Sequence, residues 1–219
     1  MCIRDSSGLF HVQDLSSQLC CEALAPLPGQ TVLDLCSAPG SKSFTLAQMM
    51  GGKGNVLAFD LHEKRVELIQ KGADRLGISN INASAADSSV FDPSLCRSVD
   101  RVLCDVPCSG YGTMRRKPEI RYKDPKDFDE LPSLQRKILL NGADYLEPKG
   151  RLVYSTCTLN PRENEENVAF LLSERPDLTP LPLSDFFAKN ISECGFYARI
   201  LTKYFNSDGF FLALFEKKE

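Results

Sequence analysis

The chain has 219 residues, 42% hydrophobic and 25% charged, with a net charge of −3 at pH 7. That balance excludes disorder driven by charge and low hydrophobicity, and one domain with a sizeable core is expected. The longest unbroken apolar run, Phe210 to Phe215, is far below the ~20 residues of a membrane helix, and Met1 to Gly8 lacks the apolar centre of a signal peptide, so a cytoplasmic protein is expected.

Along the chain, short β-like runs alternate with longer helical ones. Thr31–Leu35 has the length and branched residues of a buried strand. Ser41–Met50 follows as a helix, then Asn55–Asp60 as a second strand. His62–Leu76 is a second helix, with Val66, Ile69, Ala73 and Leu76 on one face and Gly77 as its cap. Asn80–Ala85 is a weak third strand and Val99–Asp105 a fourth. After a long loop rich in Gly, Pro and Arg, Leu131–Leu146 reads as a helix. Arg151–Thr156 is a fifth strand and Arg162–Ser173 a helix. Phe196–Leu201 and Gly209–Phe215 read as two strands around a turn at Asn206–Gly209. The alternation implies a mostly parallel sheet with helices on both faces, closed by an antiparallel hairpin. In such sheets, ligands bind beyond the carboxyl ends of the strands.

The first strand runs into Cys36-Ser37-Ala38-Pro39-Gly40-Ser41-Lys42. This is neither a G-x-G-x-x-G fingerprint nor a P-loop. Gly40 can take a positive φ and let a ligand approach the backbone, although a plain strand-to-helix turn explains the segment equally well. Asp60 ends the second strand, where a carboxylate can accept bonds from ribose hydroxyls. Asp87 follows the third strand, within reach of an adenine edge, and Asp105 ends the fourth. One Asp at a strand end is commonly a turn or cap residue; three in register with a glycine turn suggest a nucleoside site.

Nine cysteines form no C-x-x-C pair, so no metal is expected. An odd count without a secretion signal also argues against a disulfide framework, and most should pack as small hydrophobes. Two differ in context: Cys108 in Asp105-Val106-Pro107-Cys108-Ser109-Gly110, and Cys157 in Ser155-Thr156-Cys157-Thr158. Both follow strands at the ligand edge, which suggests thiol chemistry. Between them, residues 111–126 carry six basic and two acidic side chains. Arg115, Arg116, Lys117, Arg121 and Lys123 could meet a phosphate backbone, whereas a solvated loop is the ordinary reading of a charge run.

With these motifs in view, the sequence resembles the NOL1/NOP2/Sun RNA cytosine-5 methyltransferases, and within them the bacterial group acting on small-subunit ribosomal RNA. Matching stretches run from Gly8–Asp14 and Ser16-Ser17-Gln18 through Pro161–Glu165 to Asp208-Gly209-Phe210-Phe211. The resemblance implies a Rossmann-like class I methyltransferase fold that uses S-adenosylmethionine. It assigns Cys36–Lys42 to the methyl-donor loop, Asp60 to the ribose, Asp87 to the adenine, and Asp105 to the donor end and the cytosine. Cys157 would be the nucleophile and Cys108 would assist product release, although sequence chemistry alone leaves open which thiol attacks. Ser37 and Ser41 replace the usual Ala and Gly, and Lys203–Ser207 departs from the family's lead into Asp208. Residues 1–20 read as a lead-in and 21–219 as the catalytic domain of a monomer, with the family's additional amino-terminal RNA-binding domain lacking a counterpart. The competing expectations are methylation of tRNA, another RNA, DNA or an amino group, or a non-catalytic RNA-binding ribosome assembly factor. Retention of both cysteines and all three carboxylates weighs against the last. The target base must be unstacked to enter such a pocket.

Overall fold

The computed structural model describes residues 3–191 and 194–219; Cys2 lies outside them. One eight-stranded sheet organises the chain. β1 (Thr31–Asp34), β2 (Asn55–Asp60), β3 (Ile81–Ala85), β4 (Val99–Asp105) and β5 (Leu146–Thr156) are mutually parallel, whereas β8 (Phe210–Lys217) runs antiparallel to β5. The order is β3-β2-β1-β4-β5-β8-β6, with β6 (Leu178–Pro180) and β7 (Tyr197–Ile200) both pairing antiparallel with β8. Strand order therefore reverses beside β1, which places a ligand crevice above β1 and β4.

Helices cover both faces. α2 (Leu15–Leu24), α3 (Ser41–Met49) and α4 (Glu63–Leu76) bury Leu19, Phe44, Leu46 and Ile69 against Val32, Val56, Leu103 and Val153. On the opposite face, α5 (Leu131–Tyr145) and α6 (Glu165–Glu174) bury Ile138, Leu139, Val168 and Leu171 against Leu33, Val102, Leu152 and Phe211. The parallel strands are apolar on both sides for this reason. Short helices α1 (Ile3–Ser6), α7 (Asp185–Asn190) and α8 (Thr202–Phe205) complete the described α-helices, and short 3-10 turns join several of the elements. No helix among them is long and apolar enough to cross a membrane.

Several boundaries differ from expectation. α2, which the sequence pattern did not mark as an element, occupies residues 15–24. The Asp14 carboxylate caps it, accepting from Ser16 N at 3.0 Å. α5 stops at Tyr145, and β5 begins at Leu146 rather than Arg151. Val99 pairs with Leu146 and Arg101 with Arg151, so residues 147–150 bulge from the ladder, with Lys149 at φ 65°. Pro148 cannot donate a ladder bond, which favours such a bulge. The expected helix from Arg162 is a 3-10 turn (Pro161–Glu163) followed, after Asn164, by α6. The closing hairpin forms through α8 rather than a tight turn, with Asn206 at φ 50°.

Candidate active site

The carboxyl ends of β1, β2, β4 and β5 carry the expected residues. After β1 the chain turns sharply: Gly40 N donates to Ser37 O at 2.7 Å, and Ser37 N to Phe59 O at 2.8 Å. Gly40 has φ 104°, and a β-carbon there would come within 2.5 Å of the Phe44 ring, so glycine is required on two counts. Asp60 is 3% exposed. Its carboxylate accepts from Ala38 N at 3.3 Å and His62 N at 3.2 Å, and Arg65 Nη1 lies 3.4 Å away. Asp60 thus shapes the turn that carries Cys36–Lys42, and its oxygens, each with two lone pairs, keep acceptor capacity for a hydroxyl. Asp87 lines a cavity of about 520 Å³ with Phe59, Ala85, Ser88 and Phe91. The Ser89 hydroxyl and amide hold its carboxyl below the usual range.

An adenosyl sulfonium needs acceptors for hydroxyls and an amine, close approach to backbone, and negative charge near its sulfur. Along the sheet edge the order is Asp87, Asp60, the tight turn and Asp105, a row of acceptors and approachable backbone in which Asp105 is already paired with Lys42.

The fourth and fifth strands bring the two thiols together. Cys108 Sγ and Cys157 Sγ are 3.2 Å apart, well beyond a disulfide bond length; both are free. The Cys157 thiol is held below its ordinary value, mainly by the hydrogen bond from Cys108, with help from the charge of Lys42 and against burial and Asp105. Cys108 is pushed well above its ordinary value by that same hydrogen bond, by burial, and by the charges of Cys157, Asp105 and Glu163. Of the two thiols, Cys157 is the one more readily ionised, with Cys108 as its hydrogen-bond donor.

Beside the pair, Lys42 Nζ contacts Asp105 Oδ2 at 2.5 Å and lies 5.5 Å from the Phe210 ring centroid. Ser155 Oγ donates to Asp105 Oδ1 at 2.8 Å, and Cys20 Sγ to Ser155 Oγ at 3.3 Å. Burial pushes Cys20 up to about 12, so it serves as a neutral donor. Cys21 and Cys104 are likewise buried.

A second layer fixes the thiol loops. Glu163 is fully buried. It accepts from Ser109 N at 2.9 Å, Ser109 Oγ at 2.6 Å, Gln135 Nε2 at 3.0 Å and Asn160 Nδ2 at 3.0 Å. Gln135 also donates to Pro107 O at 2.8 Å, and Ser109 Oγ lies 2.9 Å from Thr158 Oγ1. The residues following each cysteine are thus bonded directly and through one carboxylate. Gly112 N donates to Cys157 O, and Gly209 N to Gly112 O, each at 2.9 Å.

The basic segment divides in two. Arg115 donates to Asn206 Oδ1 at 2.8 Å and to its carbonyl at 2.7 Å, while Arg116 grips Asp208 with Nε at 2.9 Å. Lys117, Arg121 and Lys123 are exposed. The sequence reading assigned no role to Ser155, Glu163 or Gln135. Ser155 is found only through its register opposite Asp105, which a single sequence does not encode.

A family profile described as 16S rRNA methyltransferase RsmB/F matches residues 21–216. The chain is 41% identical over 217 residues to "Probable ribosomal RNA small subunit methyltransferase B" of Bacillus subtilis (strain 168), covering 97% of this chain and 48% of that protein. It is 37% identical over 218 residues to "Ribosomal RNA small subunit methyltransferase F" of Erwinia tasmaniensis, covering 96% and 45%. The solved structure of NSun6 from Pyrococcus horikoshii with SFG superposes with a TM-score of 0.85 at 26% identity, over 99% of this chain and 55% of that one. The chain spans about half the length of the curated relatives it matches.

Proposed function

Because the chain belongs to the 16S rRNA methyltransferase RsmB/F family, we propose that it transfers a methyl group from S-adenosylmethionine to C5 of a cytosine in ribosomal RNA, through a covalent bond between Cys157 and C6. The observation that carries this reading is the polarised thiol pair, 3.2 Å apart, beside the Lys42–Asp105 ion pair. The Cys36–Lys42 turn, Asp60, Asp87 and Asp105 would hold the cofactor, which supplies an electrophilic methyl group when bound.

The Cys157 thiolate adds to C6, and the displaced electron pair makes C5 nucleophilic. Asp105, held on both oxygens by Lys42 and Ser155, is oriented toward the cytosine edge as the adduct forms. Once Cys157 is a thioether, two causes of the raised Cys108 value vanish: the bond to a thiolate and that thiolate's charge. Cys108 then releases its proton to solvent and, as a thiolate, removes the C5 proton. The C6–sulfur bond breaks, C5=C6 re-forms, and the electron pair returns to Cys157. One proton is released per methyl transferred, and the thiol pair ends as it began.

The test uses the full-length protein with RNA and cofactor. Cys157→Ala should transfer no methyl group and form no adduct. Cys108→Ala should methylate once and stall as a protein–RNA species that survives denaturing electrophoresis. A trapped complex in Cys157→Ala, with none in Cys108→Ala, would reverse the roles. Full activity in both variants would remove the thiol mechanism.

A further inference from the structure

Beyond the thiol pair, a cleft of about 300 Å³ opens between Tyr111, Phe128, Pro132 and Asn160, with Lys126 and Arg162 among its lining residues. Its walls come from both thiol loops: Tyr111 stands three residues past Cys108, and Asn160 three past Cys157. The backbone bond from Gly112 N to Cys157 O ties these loops together at 2.9 Å. The cleft therefore neighbours the thiols without containing them.

Its surface is a corner. The Tyr111 and Phe128 rings meet edge to face, with centroids 5.5 Å apart and planes at 79°, so a flat ring stacked on one turns its own edge toward the face of the other. Lys123 Nζ lies 5.7 Å from the Phe128 centroid. Lys126 is exposed, and Arg162 pairs with Asp129 at 3.1 Å, both side chains being more than half exposed. A pair of that kind contributes little and exchanges readily for a phosphate. Arg115 and Arg116 are engaged with Asn206 and Asp208, so the positive charge beside the cleft comes from Lys123, Lys126 and Arg162, which suits a phosphate. The volume lies at the lower end of small-ligand pockets, about 300–1,000 Å³. Asn160 cannot read a base edge freely, because its carbonyl accepts from Arg162 N at 3.2 Å and its amide donates to Glu163 at 3.0 Å. Recognition here rests on stacking and charge, which every base and phosphate can satisfy.

We propose that this cleft seats the nucleobase adjoining the target cytosine in single-stranded RNA, stacked in the Tyr111–Phe128 corner, with Lys126 and Arg162 on the neighbouring phosphate. The inference rests on the RNA methyltransferase reading above. It supplies what that reading needs, a hold on the strand while the target base is turned out of its stack.

The test is a double-mutant cycle with the full-length protein. Single-stranded RNAs carrying a methylatable cytosine are prepared with the nucleotide on its 5′ or 3′ side made abasic. Affinity and single-turnover rate are measured for the wild type, Tyr111→Leu, Phe128→Leu and Lys126→Glu. One of the two abasic substitutions should weaken wild-type binding by about 5- to 100-fold. The same substitution should cost the two leucine variants much less, since they have already lost the stack. Leucine keeps the apolar bulk, and cofactor affinity should stay at the wild-type level in all variants. Equal abasic penalties in wild type and variants, with methyl transfer intact, would overturn the cleft assignment alone. Absence of transfer to any RNA by the wild type would overturn the functional reading and this inference with it.

Discussion

Asp34 is buried at the end of β1, 1% exposed, and accepts from Ser43 Oγ at 2.7 Å. Burial pushes its carboxyl from the ordinary 3.8 up to about 7. The folded state therefore holds a proton there that the unfolded chain has released. Its stabilising contribution is fully present below about pH 4 and is lost as pH rises to about 7, with a slope of up to about 1.4 kcal/mol per pH unit. Asp34→Asn should remove that slope, as read from urea midpoints between pH 4 and 8; an unchanged slope would place the titrating group elsewhere. Glu163 poses a different case. Deleting the carboxylate leaves Ser109 N and the Asn160 amide without this acceptor, while Gln135 keeps Pro107 O and Ser109 Oγ keeps Thr158 Oγ1, and each unsatisfied buried group costs about 1–3 kcal/mol. Glu163→Ala should lower the urea midpoint markedly. Glu163→Gln, which keeps the shape and lets the Asn160 amide reverse, should recover most of the stability.

At the scale of elements, the site is where three loops press together. A β-carbon on Gly112 would lie 1.9 Å from Gly209 O and 2.8 Å from Cys157 O. Both are backbone atoms and cannot rotate away, so Gly112→Ala must part the loops. The variant should keep its sheet, judged by far-ultraviolet circular dichroism, yet lose most methyl transfer, whereas wild-type activity in it would show that the contact is dispensable. The strand ends at Asp60, Asp105, Cys108 and Cys157 were legible because each follows a largely apolar run, whereas Asp87 follows a weak strand and was placed by the alternation of elements around it. α2 was not legible: Leu15–Leu24 mixes serines and cysteines with three leucines, and its packing depends on Ser16 and Cys20 bonds to distant loops. β6 has three residues, too few for a pattern, and exists only because β8 offers an edge. The thiol spacing was likewise invisible, since it depends on β4–β5 register and on Glu163 reaching both loops.

At the scale of the molecule, only part of the positive segment's charge is left for an RNA phosphate to meet. Arg115 and Arg116 secure residues 206–208, and Asp208, 3% exposed, would lose its partner if Arg116 were removed. Exchanging Lys117, Arg121 and Lys123 for Glu should weaken RNA binding and flatten the salt dependence by about 2 in log–log slope, at roughly 0.7 per phosphate contact on a single strand. An unchanged slope would move the phosphate contacts away from this segment. Changes at Arg115 or Arg116 should act on activity rather than on that slope. The strap across the site has one more consequence. Ser16 Oγ donates to Asp208 O at 2.9 Å across 192 positions, and Gly209 closes on Gly112 from the same strand end. Synthesis proceeds from the amino end, so a ribosome releases α2, both cysteine loops and the donor turn well before residues 206–209 exist. Until β8 forms, the nascent chain lacks the Asp208 and Gly209 contacts that close over the thiol loops, so closure of this region waits on β8 rather than growing with chain length.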